Sequence, residues 1–145
     1  MKKNTVKAFP VVSIAAILAA LGMLTGPAAG YASTPAAHPV TPFRMEYGAG
    51  VLEGSISWNA RSIHTTGSVN AVSAKKTAVF QGESPHCISS VETRTASVGD
   101  TRKFVVDIPC DAPGGITIAY VELWDFDNSY LHRAICTRNG CTIKD

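Results

Sequence analysis

The stretch Arg102-Lys103-Phe104-Val105-Val106-Asp107-Ile108-Pro109 decides the fold class. Phe104, Val106 and Ile108 point one way while Val105 and Asp107 point the other, the two-residue period of a strand with one face in a core. Pro109 ends the strand, because proline has no N–H to give to a ladder. Asp111-Ala112-Pro113-Gly114-Gly115 then makes a loop, and Ile116 to Phe126 reads as a long strand. Ile116, Ile118 and Tyr120 fall on one of its faces and Ala119, Val121 and Leu123 on the other. Apolar residues on both faces place such a strand in the middle of a sheet.

Outward from this pair the same pattern continues. Tyr130 to Cys136 and Cys141 to Lys144 read as a closing hairpin, and upstream Leu52, Ile56 and Trp58 alternate with Glu53, Ser55 and Ser57. Ser62 to Thr65, Ser68 to Ser73 and Thr77 to Gln81 read as further short strands, and Ile88 to Ala96 as an edge or half-exposed one. No segment carries a sustained helical period and nothing repeats at a fixed interval. Seven to nine short strands, spaced by roughly 8 to 12 residues, predict an all-β fold. We read it as a single two-sheet β-sandwich, immunoglobulin-like or jelly-roll-like. A barrel is the alternative, since a two-residue period does not reveal closure.

Residues 1–32 read as a signal peptide. Lys2, Lys3 and Lys7 precede an apolar run from Val11 to Leu24, and Gly30-Tyr31-Ala32 supplies the small-x-small pattern for a cut between Ala32 and Ser33. The run is too short to anchor: about 14 residues rise about 21 Å as a helix, against a hydrocarbon core of roughly 30 Å. Residues 33–42, with three prolines, read as a flexible tail, and residues 43–145 as the sandwich domain. The expected mature chain has no membrane span and is secreted.

The formal charge of +2 belongs to the precursor. Without the three leader lysines, ten Lys and Arg stand against eleven Asp and Glu, a net charge of −1. No basic field remains to attract nucleic acid or an anionic membrane. All four cysteines, Cys87, Cys110, Cys136 and Cys141, follow the cleavage site, and an even count in an exported chain predicts two disulfides. Four cysteines allow three connectivities; the expected one is Cys136 with Cys141, across a hairpin turned at Asn139-Gly140, and Cys87 with Cys110. In that turn Asn-Gly can take the positive φ angles a tight hairpin needs.

Gly54-Ser-Ile-Ser-Trp58-Asn-Ala-Arg61-Ser-Ile63, Thr66-Gly67-Ser-Val69, Thr93-Arg94-Thr95 and Pro113-Gly114-Gly115-Ile116 together resemble small, mostly uncharacterised secreted proteins of actinobacteria. Those proteins carry a Trp-x-x-Arg-Ser-Val-like strand, a Thr-Gly-x-Val turn and a Gly-Gly before the last strands. The resemblance spans about Gly54 to Trp124. It implies an exported β-sandwich and brings no catalytic residue.

Several clusters bear on function. Asp125-Phe126-Asp127-Asn128-Ser129 offers oxygen ligands for calcium, yet Tyr130 and Cys136 occupy the EF-hand positions that require glycine and glutamate. A turn whose Asp and Asn side chains bond their own backbone is the simpler reading. His64, His86 and His132 admit a hydrolase, but there is no Gly-x-Ser-x-Gly elbow and no zinc-type Cys or His spacing. His86-Cys87 sets a thiol beside a base, and an oxidising compartment converts that thiol to a disulfide. Trp58 continues the register of Leu52 and Ile56 and reads as core, whereas Trp124, Phe126 and Tyr130 form the candidate contact surface. Arg138, inside the last hairpin, is a candidate contact for a protease.

The reading taken is a secreted, non-enzymatic binding module for a cell-wall polysaccharide or an extracellular protein, with no cofactor and no metal. A disulfide-stabilised protease inhibitor presenting Gly82 to His86 or Thr137 to Gly140 is the alternative, followed by a hydrolase. A purely structural role in the cell envelope needs no site at all.

Overall fold

The computed structural model describes His38–Asp145; the expected signal peptide, its expected cleavage site and residues 33–37 of the expected tail lie outside the described residues. Ten strands form two antiparallel sheets. They are β1 (Val40–Tyr47), β2 (Gly50–Trp58), β3 (Ser62–Ala71), β4 (Lys76–Ser84), β5 (Cys87–Ile88), β6 (Glu92–Ala96), β7 (Asp100–Pro109), β8 (Ile118–Trp124), β9 (Tyr130–Thr137) and β10 (Gly140–Lys144). One sheet runs β1-β2-β3-β7. The other runs β10-β9-β8-β4, and β5 and β6 share the far edge of β4. Two separate sheets make this a sandwich. Its first sheet takes strands one, two, three and seven, where an immunoglobulin constant domain takes one, two, five and four.

Alternation builds the core. Phe104, Val106 and Ile108 of β7 are buried while Val105 is exposed, and β4 buries Lys76, Ala78, Phe80, Gly82 and Ser84 in strict alternation. In β8 the inward set is Ala119, Val121 and Leu123. The two sheets meet at Phe80 and Phe104, whose ring centres are 5.0 Å apart. Trp58 is core: its indole N–H donates to Thr41 Oγ1 at 2.9 Å, and Thr41 in turn donates to the Thr137 carbonyl at 2.8 Å. That relay ties the first sheet to β9 and gives both buried donors, the Trp58 N–H and the Thr41 hydroxyl, a partner.

Several boundaries differ from the sequence reading, among them the end of β8, which is Trp124 and not Phe126. Val40, Thr41 and Pro42 belong to β1 rather than to a tail, because Thr41 is an inward position of that strand. Ser62–Ala71 is one continuous strand, with Gly67 inside it and not at a turn. Gly67 sits directly opposite Gly54, and the rings of Phe43 and Phe104 lie over the pair; a Cβ on Gly67 would come within 2.9 Å of Phe104 Cζ. Ile88 to Ala96 divides into β5 and β6, since Ser89 leaves the ladder and its hydroxyl accepts from the Gly82 N–H at 2.8 Å. Ile116 lies in the β7–β8 connection, fully buried over Gly82, where any side chain on the glycine would collide with it.

Both disulfides are Cys87–Cys110 and Cys136–Cys141, the connectivity expected. Cys136 and Cys141 are cross-strand partners on β9 and β10. Cys87–Cys110 joins the edge of the second sheet to the segment after β7, so it bridges the layers. Both bonds lie at one end of the sandwich. In the β9–β10 turn only Gly140 has a positive φ, of 147°, so Asn139 does not take the left-handed conformation the sequence allowed.

Candidate functional site: the outer face of the six-stranded sheet

The same alternation that buries Ala119, Val121 and Leu123 turns Tyr120, Glu122 and Trp124 outward. Register places Glu122 beside Val79 of β4 and Arg133 of β9, and Tyr120 beside Gln81. A bulge between Leu123 and Trp124 sets Trp124 opposite Tyr130, skipping Leu131, which packs against the core. The result is a shallow groove of about 290 Å³ lined by Thr77, Val79, Val91, Thr93, Trp124 and Asn128. It continues along the sheet past Gln81, Tyr120 and Glu122.

Trp124 is held firmly. Its Nε1 donates to Glu122 Oε2 at 2.7 Å, two residues back along the same strand, which lays the indole along the sheet. Tyr130 stands against it edge to face, with ring centres 6.2 Å apart and planes at 86°. Glu122 Oε1 accepts Arg133 Nε at 2.6 Å and is also paired with Nη2. Arg133 in turn lies 5.4 Å from the Tyr120 ring centre and 5.7 Å from that of Tyr130. The Tyr120 hydroxyl donates to Glu83 at 2.8 Å; that bond, burial and the Glu83 charge raise the phenol above its ordinary value. The Trp124 indole, the Glu122 carboxylate, the Arg133 guanidinium and the Tyr120 hydroxyl therefore each have a partner.

The structure brings together some of the residues singled out from sequence and separates others. Trp124 and Tyr130 meet. Phe126 is 60% exposed on the β8–β9 turn, outside the groove lining. Arg138 is at the opposite end of β8 and β9, where its Nη2 donates to the Gly114 carbonyl at 3.2 Å. Tyr120, Val79, Gln81, Val91 and Arg133 complete the surface, although only the face shared by Tyr120, Glu122 and Trp124 was readable in the alternation of β8.

Asp125 and Asp127 serve the turn. Asp125 Oδ1 accepts Lys76 Nζ and the Phe126 N–H, each at 2.8 Å, and Asp127 Oδ1 accepts the Ser129 N–H and hydroxyl at 2.9 and 2.6 Å. These bonds hold both carboxyls below the usual carboxylate range. Among the described residues no three His, Cys, Asp or Glu side chains converge on a common point.

The remaining readings also find their places. His64 Nδ1 is 2.5 Å from Asp107 on the outer face of the first sheet, with Ser57 opposite it on β2. Neither groove described above reaches that face. His132 Nδ1 lies 2.8 Å from the Asp145 carboxylate beside the edge of Tyr47. Gly82 to Ser84 belong to β4, so the first proposed inhibitor loop shrinks to Pro85-His86. Arg138 sits in a two-residue turn between paired Thr137 and Gly140.

No protein-family model, curated protein or solved structure matches the chain. The resemblance of Gly54 to Trp124 to actinobacterial secreted proteins is carried by those residues alone.

Proposed function

We propose that this protein is an exported, non-enzymatic carbohydrate-binding module, and that its ligand docks in the groove on the outer face of the six-stranded sheet. One observation carries the reading: a half-exposed tryptophan, laid along the sheet by its bond to Glu122 and walled by Tyr130, at the base of a groove with uncharged amides at its margin. A sugar ring has one apolar C–H face and a rim of hydroxyls, which such a surface complements. Two disulfides fit the oxidising compartment that the leader sequence implies. Among the described residues no helix is long and apolar enough to cross a membrane.

The protease-inhibitor alternative draws less support, since a protease cleft takes an extended segment and Arg138 is in a tight turn. The test is retention of the purified mature domain on insoluble cell-wall polysaccharide. The intact domain is retained, and Trp124→Ala passes through unretained with its fold preserved. Equal retention of both proteins, or of neither, rejects the reading.

A further inference from the structure

We propose that the groove selects a neutral over an acidic pyranose, and that Glu122 is the residue that reads its hydroxyl; this rests on the carbohydrate reading above. A carboxylate has about four acceptor positions. Arg133 Nε is bonded to Oε1, with Nη2 at ion-pair distance from the same oxygen, and the Trp124 indole takes one position on Oε2, which leaves one position of Oε2 for a further donor. Glu122 is 9% exposed and lines the groove, so its remaining acceptor is aimed and has little freedom to move. A sugar hydroxyl lying over Trp124 donates to it.

The charges disfavour acidic sugars. The guanidinium of Arg133 is committed to Glu122, so among the described residues a uronate, sulfate or phosphate finds no free cation at the groove and approaches the carboxylates of Glu122 and Glu83 instead. Beside Glu122, the polar groups left for recognition are the carboxamides of Gln81 and Asn128. Gln81 uses only one N–H, in a long bond of 3.4 Å to the Ser89 carbonyl.

The test is calorimetric titration of the mature protein with neutral α-glucan, β-glucan and xylan oligosaccharides and with oligogalacturonate. A neutral oligosaccharide binds, and the anionic one binds at least tenfold more weakly. Glu122→Gln, checked for an unchanged unfolding midpoint, weakens the neutral ligand about tenfold, as expected for loss of a charge-assisted bond. Uronate binding that equals or exceeds the neutral ligand overturns the selectivity, and this wild-type comparison needs no variant to fold. Full affinity in Glu122→Gln overturns the role of that residue. Loss of binding in Trp124→Ala alongside either result keeps the groove as the binding site, whereas failure of every oligosaccharide to bind rejects the carbohydrate reading itself.

Discussion

Thr41 joins a buried indole to the carbonyl of a strand in the other sheet, and it has no apolar substitute. Thr41→Val keeps the shape and strands the Trp58 N–H, so we expect a loss of about 1–3 kcal/mol in urea unfolding. Gly67→Ala is expected to cost more, because the new methyl collides with the Glu53 carbonyl oxygen and lies 2.7 Å from Gly54 Cα. Overpacking of this kind typically costs about 1–3 kcal/mol when neighbours can yield, and here backbone must yield. Gly67 was illegible in the sequence for a physical reason: Thr-Gly reads as a turn unless one knows that two phenylalanine rings from neighbouring strands cover the glycine. Asp125 supplies a pH test. Lys76, then the Phe126 N–H, lower its carboxyl in the fold, so the unfolded chain binds more protons as pH falls. That stabilisation is fully present above the unfolded value of about 3.9 and is lost as pH falls through the lower native one. The urea midpoint of the wild type should drop between about pH 5 and pH 2, and Asp125→Asn should start lower at pH 5 and show a smaller drop. An equal drop in both would contradict the assignment. Asp125→Ala should also destabilise more than Lys76→Met, because it leaves the buried ammonium without its partner.

Among the elements, the strands were read from their alternation, but the junctions between them were not. β7, β8 and the β9–β10 hairpin stand where the period-two pattern put them, with β8 two residues shorter at each end than the Ile116 to Phe126 reading. β1 was missed because three of its residues follow a proline-rich stretch, and β5 and β6 were merged because only the Ser89 hydroxyl bond marks their separation. The disulfides divide by the loop each closes. Removing Cys87–Cys110, with a sequence separation of 23, should cost about 3 kcal/mol on the chain-entropy account; removing Cys136–Cys141, with a separation of 5, should cost about 2 kcal/mol. Paired alanine variants compared by denaturant midpoint check the order. The reverse order would mean that the short hairpin bond, and not the bridge between layers, holds the fold.

At the scale of the whole molecule the sandwich has two unlike ends and two unlike faces. Both disulfides and Arg138 gather at one end, the Lys76–Asp125 turn is at the other, and the outer face of the second sheet carries the aromatic groove. Sequence reading grouped Trp124, Phe126 and Tyr130 but could not separate Phe126 from the other two, because that separation depends on where β8 ends and which strands are neighbours. For the same reason Glu122, Arg133 and Tyr120 emerge as one network only once β8 and β9 are in register. The sequence has two tryptophans, Trp58 in the core and Trp124 in the groove, so the two indole N–H resonances report separately on fold and site. A proton–nitrogen correlation spectrum recorded during titration with a neutral polysaccharide fragment should shift the Trp124 indole peak saturably and leave the Trp58 peak in place. A titration that moves neither peak, or moves both together, would contradict the account of a preformed binding face on this sheet.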